Sequence, residues 1–199
     1  MRKKTAKKSF VMEKLDSSWK FVKESRNYIY FSIGLFIIAV FIGAFVPAPD
    51  FILEYIKNVI KNLVEETANL NIFQLIGYIL LNNLKASLSG LFLGFIFCIL
   101  PFLICLVNGY VLGFVSKQVI HEAGILQLWR LLPHGIFELP AVFISLGIGL
   151  RLGVYVLKYS SDKNIFEFLK KAFWTFAFIV LPLLVVAAII EGVLIKLLG

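Results

Sequence analysis

From Ile72 to Val119 the chain runs for 48 residues with only two charged side chains, Lys85 and Lys117. A helix that crosses a bilayer needs roughly 20 apolar residues, so this stretch is too long for one crossing and suits two. Lipid offers the backbone no hydrogen-bond partner, which restricts such segments to helices or closed barrels. Three further apolar runs flank it: Ile29–Val46, Pro133 to about Leu157, and Phe173–Leu194. The expected fold is therefore all-α, a polytopic helical membrane protein. It has about five transmembrane helices, near 29–46, 83–100, 102–119, 133–157 and 173–194, plus amphipathic interfacial helices. A short apolar helix, Ile72–Leu81, precedes the second span. The turn between the second and third spans is set near Pro101, with Asn108-Gly109 as the alternative break. The composition excludes an ordinary water-soluble globule. The chain is 60% hydrophobic and 16% charged, against about 45–50% and about 25% in soluble domains.

The first span is not a cleavable secretory signal, because its apolar core and the segment before it are both too long. Pro47-Ala48-Pro49 ends it by removing backbone donors. Residues 1–27 hold nine Lys/Arg against Glu13, Asp16 and Glu24. Phe10, Val11, Leu15, Trp19 and Val22 recur there at helical spacing. This is read as a basic amphipathic arm lying on a membrane surface, or as a solvated arm that only sets orientation. Residues 50–70 form a second amphipathic helix, with Asp50 as its N-cap. Its stripe is Phe51, Ile52, Tyr55, Ile56, Val59, Ile60, Leu63 and Val64; Glu54, Lys57, Asn58, Lys61, Asn62 and Glu65 lie opposite. Its charge is net acidic, so it is expected to dock a partner or lie at the outer interface; packing on its own bundle is the plain alternative. A substitution such as Ile56→Asp is expected to detach a partner without unfolding the bundle.

Basic residues set the expected orientation. With the N-terminus cytoplasmic, fourteen fall inside: nine in the arm, then Arg151, Lys158, Lys163, Lys170 and Lys171. Five fall outside: Lys57, Lys61, Lys117, Arg130 and Lys196. Tyr28, Tyr30, Tyr155, Tyr159 and Trp174 then sit at the inner interface and Trp129 near the outer one, with the C-terminus outside. The net charge of +8 is thus matched to the anionic inner leaflet of the cell membrane rather than to nucleic acid.

Three GxxxG patterns, Gly90/Gly94, Gly109/Gly113 and Gly149/Gly153, lie one in each of the three middle spans. Missing side chains let helix backbones approach closely in lipid; whether they also build a homo-oligomer is left open at this level. His134 and Glu138 share one helical face within Pro133–Pro140. A carboxylate inside a span costs a few kcal/mol unless protonated or paired, on the order of the insertion penalties measured for acids. Lys85, flanked by Asn82 and Asn83, is the expected partner of Glu138. Three readings of this cluster compete: a structural clamp, a polar path for a proton, ion or substrate, and, least favoured, a metal site. Two ligands fall short of the usual catalytic zinc set, and no cofactor motif is present. Arg151 and Asn108 are read as anchors. Cys98 and Cys105, both in an apolar run, form neither a disulfide framework nor a zinc site.

Asn82-Asn83-Leu84-Lys85, Asn108-Gly109 with Leu112-Gly113, His134-Gly135-Ile136-Phe137-Glu138-Leu139-Pro140, and Gly147, Gly149, Arg151 and Gly153 together resemble the stage II sporulation protein M family of integral membrane proteins. The resemblance covers roughly residues 28–198. It implies a polytopic membrane protein without enzymatic activity. The family's founding member is a membrane scaffold that recruits wall-degrading partners during engulfment. The expectation is a non-enzymatic scaffold or assembly component with membrane or extracytoplasmic protein partners. A transporter or channel-like subunit using Lys85, His134 and Glu138 is the alternative.

Overall fold

Inside lipid each backbone group must pair within its own helix, and the computed structural model of the protein is helical, with no strand among the described residues. These are 9–47, 49–95, 98–158 and 164–198, with side chains described for all but 51, 55, 60, 95, 129–134 and 198. The helices are α1 (Phe10–Glu24), α2 (Arg26–Phe45), α3 (Asp50–Ala68), α4 (Ile72–Phe92), α5 (Ile99–Ala123), α6 (Leu132–Lys158), α7 (Ile165–Thr175) and α8 (Leu181–Leu198). Tight 3₁₀ turns occupy Leu93–Phe95 and Ile125–Leu131. A π-turn, Phe176–Val180, joins α7 to α8 as one rod. Five stretches are long and apolar enough to cross a membrane: α2, α4, α5, Gly135–Lys158 of α6, and Ile165–Leu197.

Helix α6 is the hub. Every residue from Ala141 to Leu150 is buried, and α2, α4, α5 and α8 surround it. A helix apolar on all sides belongs in such a position. Its small residues decide how near the neighbours come. A Cβ on Gly149 would strike the carbonyl oxygen of Gly90, and one on Gly153 would strike the carbonyl of Gly94 and the Sγ of Cys98. These pairings make α4 and α6 run in the same direction, in backbone contact. Along α6's other flank, Gly147 lies against Ile29, and Ser32 Oγ reaches the Phe143 carbonyl at 3.5 Å. So α2 runs opposite to α6. A second seam joins α2 to α5. There Gly109 and Gly113 lie on the carbonyls of Phe36 and Val40, and Gly43 on that of Tyr110. Gly192 of α8 lies on Ile76 of α4, antiparallel. The end of the bundle bearing α1, the α4–α5 turn and the start of α7 is called basal; the end crossed by α3 is distal.

The second span is displaced from the expected 83–100. It begins at Ile72, fusing with the apolar helix expected at Ile72–Leu81. Asn71 Oδ1 accepts the Gln74 N–H and Gln74 Oε1 accepts the Asn71 N–H, both at 3.0 Å, a reciprocal cap that starts a helix. The break falls between the end of α4 at Phe92 and the start of α5 at Ile99, not at Pro101 or Asn108-Gly109. Pro101 stands in the first turn of α5, where a missing N–H costs nothing, so it opens the third span instead of closing the second. Cys98 turns the chain in the left-handed region, at φ 63°. Its N–H bonds the Gly94 carbonyl and its thiol donates to the Leu150 carbonyl at 3.3 Å. The third span accordingly runs past 102–119 at both ends, and the fifth starts at 165 rather than 173. Phe168, Ala172 and Thr175 form a buried face of α7 within a stretch whose lysines suggest a solvated connection.

Substitution of Gly149 by leucine is expected to lower stability by about 1–3 kcal/mol or more, the usual cost of overpacking. Gly77, where an added methyl would meet nothing within 4 Å, should tolerate alanine with a change within about 0.5–1 kcal/mol. Thermal unfolding of both variants in lipid discs checks the contrast.

Candidate functional site

At the basal end one side chain joins three elements. Arg151, near the end of α6, donates from Nη1 to Ser25 Oγ at 2.9 Å and from Nη2 to Glu24 Oε2 at 3.5 Å. Its guanidinium lies 4.8 Å from the ring centre of Phe21 and 5.5 Å from that of Phe168. Those rings meet edge to face at 5.1 Å, and Tyr155 lies 5.5 Å from Phe168. Ser25 is the bend between α1 and α2, its hydroxyl donating to the Phe21 carbonyl at 2.8 Å. A planar, always-charged guanidinium can bond in its plane and stack on its faces together, which lysine cannot. Arg151 thus fixes α1 and α7 to the hub. Beside it opens a cleft of about 390 Å³ lined by Phe21, Glu24, Arg151, Tyr155, Asn164, Glu167, Phe168 and Lys171.

Helix α1 packs on α7 as well. Phe10 meets Trp174 edge to face at 5.7 Å, and Lys14 lies over both rings. Ser18 and Phe21 are buried, whereas Val11, Met12, Leu15 and Trp19 stay exposed. The arm is therefore docked on the bundle along one edge, with much of its apolar stripe outward.

The residues expected to cluster near the distal boundary are spread out. The α4–α6 register sets Lys85 about one turn, roughly 5 Å, nearer the basal end than Glu138. Lys85 is exposed, and no ion pair joins it to Glu138, which is half-buried and partnered elsewhere. The expected Lys85–Glu138 pair is absent because Lys85 stands on the exposed face of its helix, whereas Gly90 and Gly94 are the positions turned toward α6. Asn82 and Asn108 are exposed too, and Asn83 is half-buried. His134 opens α6, with its side chain outside the described residues, as are those of Trp129 and Arg130. Tyr159 and Lys163 also lie outside the described residues. Cys105 is fully buried, its thiol donating to the Ser32 carbonyl at 3.0 Å. Among the described residues no group of three or more His, Cys, Asp and Glu could hold a metal ion.

Sequence reasoning missed two features. Glu191 is a half-buried acid in the last span and makes no hydrogen bond or ion pair with a described residue; its signal was an acid in an otherwise apolar run. The partners of Arg151, namely Glu24, Ser25, Phe21 and Phe168, left no signal, since nothing in the spacing joins Arg151 to the first three, more than 120 positions away, or to Phe168 across the α6–α7 connection. Arg151→Lys should loosen α1. Maleimide labelling of a Phe21→Cys reporter is expected to rise severalfold over the same reporter with Arg151 intact, and Arg151→Ala should raise it further.

The stage II sporulation protein M family model matches residues 23–194. The uncharacterized protein MJ0706 of Methanocaldococcus jannaschii is 26% identical over 171 residues, covering 83% of this chain and 76% of its own length. No solved structure matches. The match begins at Lys23, beside the bend that Arg151 grips, and ends within α8. It takes in the whole glycine-seamed bundle. The chain belongs to the stage II sporulation protein M family of multi-pass membrane proteins.

Proposed function

We propose that this protein is a non-enzymatic membrane scaffold or assembly component whose basal end faces the cytoplasm. The observation that carries the reading is the division of α3. Its first half is seated: Ile56 is 3% exposed, and Ile52 and Ile56 share an apolar groove of about 430 Å³ with Ile42, Leu106 and Tyr110. Its last turns are tied down where Tyr78 donates to Glu66 Oε2 at 2.6 Å. Between these anchors Val59, Leu63 and Val64 remain exposed. An amphipathic helix whose stripe is only half covered has apolar surface left for a partner. Ile56 is therefore a packing residue, and Ile56→Asp would disturb the bundle. Val64 and Leu63 are the docking candidates.

The basic arm and the lysines of α7 suit an anionic cytoplasmic leaflet, and α1's exposed Leu15 and Trp19 suit its interface. The distal end then offers α3 to an extracytoplasmic or membrane protein. The transport reading draws no support from the geometry, because Lys85 does not meet Glu138.

A photoreactive residue at Leu63 in native membranes is expected to capture discrete protein partners, and Val64→Asp should abolish those adducts without changing thermal stability. Adducts only to lipid or to other copies of the chain would contradict the scaffold reading. In intact cells an impermeant thiol reagent should label Lys61→Cys and leave Lys171→Cys unlabelled.

A further inference from the structure

Asn82, Lys85, Ala86 and Ser89 share one face of α4 at helical spacing. Asn82 and Lys85 are exposed, and so is Asn108 of the adjoining α5. Ala86 and Asn108 line one crease between the two helices, about 290 Å³, with Leu103, Ile104 and Val107. Leu81, Leu103 and Val107 around them are exposed apolar side chains. An ammonium and two amides thus stand in an outward surface that is otherwise built for lipid. Their depth makes this expensive. Lys85 is seven residues before the end of α4, about 10 Å along the axis, and Asn108 is about 13 Å into α5. Both lie inside a hydrocarbon layer about 30 Å thick. An extended lysine stem covers about 6 Å of that distance by snorkelling, which leaves its head short of the basal interface.

We propose that this α4–α5 face is a lateral docking site for another protein's membrane-spanning helix, one carrying a carboxylic side chain at the depth of Lys85. The inference rests on the assembly reading above and names the chemistry of one partner. An ammonium has donors and no acceptor, and asparagine amides donate as well. A carboxylate takes hydrogen bonds from all three and cancels the charge. The small side chain of Ala86 lets a partner backbone enter the crease, where polar contacts between helices hold in lipid. A second copy of this chain fits less well. Glu122 and Glu167 stand at the ends of its spans, and of the acids further in, Glu138 is already partnered. Glu191 lies at the level of Gly77, eight residues from Lys85 and about 12 Å nearer the distal end, a separation that copies sharing one orientation keep.

The test uses the full chain in lipid vesicles and leucine-rich membrane-spanning peptides that differ at one position. That position carries glutamate, glutamine, lysine or leucine about 10 Å from the basal face, and association is read by energy transfer. The glutamate peptide should bind on the order of tenfold more tightly than the leucine peptide. Lys85→Met should erase that preference with the melting temperature unchanged, and Lys85→Glu should transfer it to a lysine-bearing peptide. Equal binding of all peptides, or a preference that survives Lys85→Met, would overturn the proposal. So would Lys85-dependent self-association in vesicles without peptide, which would assign the face to a second copy. Partner capture at Leu63 reads the distal helix instead, so failure of one experiment is distinguishable from failure of the other.

Discussion

Backbone-to-backbone approach around α6 is the constraint on which the other features of this molecule depend. In lipid there is no hydrophobic gain from bringing apolar helices together, so association rests on dispersion and on how closely the backbones can come. Gly149 and Gly153 on α6, Gly90 on α4 and Gly94 in the turn after it remove the side chains that would hold those elements apart. Gly147 does the same toward α2 at Ile29, and Gly43, Gly109 and Gly113 bring α2 against α5. The hub is thus enclosed by neighbours at contact distance, and its midsection is buried.

That enclosure decides which polar groups are left outside it. Arg151 leaves the hub where α6 clears its neighbours, and there it finds a carboxylate, a hydroxyl and two aromatic faces on α1, the bend and α7. Lys85, on the outward face of α4, finds none among the described residues. The same packing leaves α3 attached through Ile56 and through the Glu66–Tyr78 hydrogen bond, with its later apolar residues uncovered. The proposed scaffold role rests on these partly covered edges around a buried core.

Much of this was legible in the sequence. The number of spans, the arm, the amphipathic helix over 50–70 and the small residues at four-residue spacing all follow from apolar periodicity and composition. The start of the second span was not, because Lys85, Asn82 and Asn83 read as a boundary when they are the middle of a helix. Pro101 read as a terminator for a similar reason: its effect depends on whether it stands in the first turn or the interior, and only the cap at Asn71 and the left-handed Cys98 settle that. The Lys85–Glu138 pair was misread for a different reason: Lys85 lies on the exposed face of α4, and sequence spacing does not say which face meets α6. Contacts such as Arg151 with Glu24 join chain segments by topology alone and carry no local pattern.

The seam itself can be probed through a native thiol. Cys98 and Val154 line one crevice between the α4–α5 turn and α6, so a Val154→Cys chain with Cys105→Ala should, on mild oxidation in lipid discs, lose both thiols while remaining a single chain. Gly34→Cys in the same background, a position with nothing within 4 Å, should keep both. If both thiols of the Val154→Cys chain stay open to alkylation while its helical content is intact, α6 does not lie against the α4–α5 turn, and the close-packed hub described above is wrong.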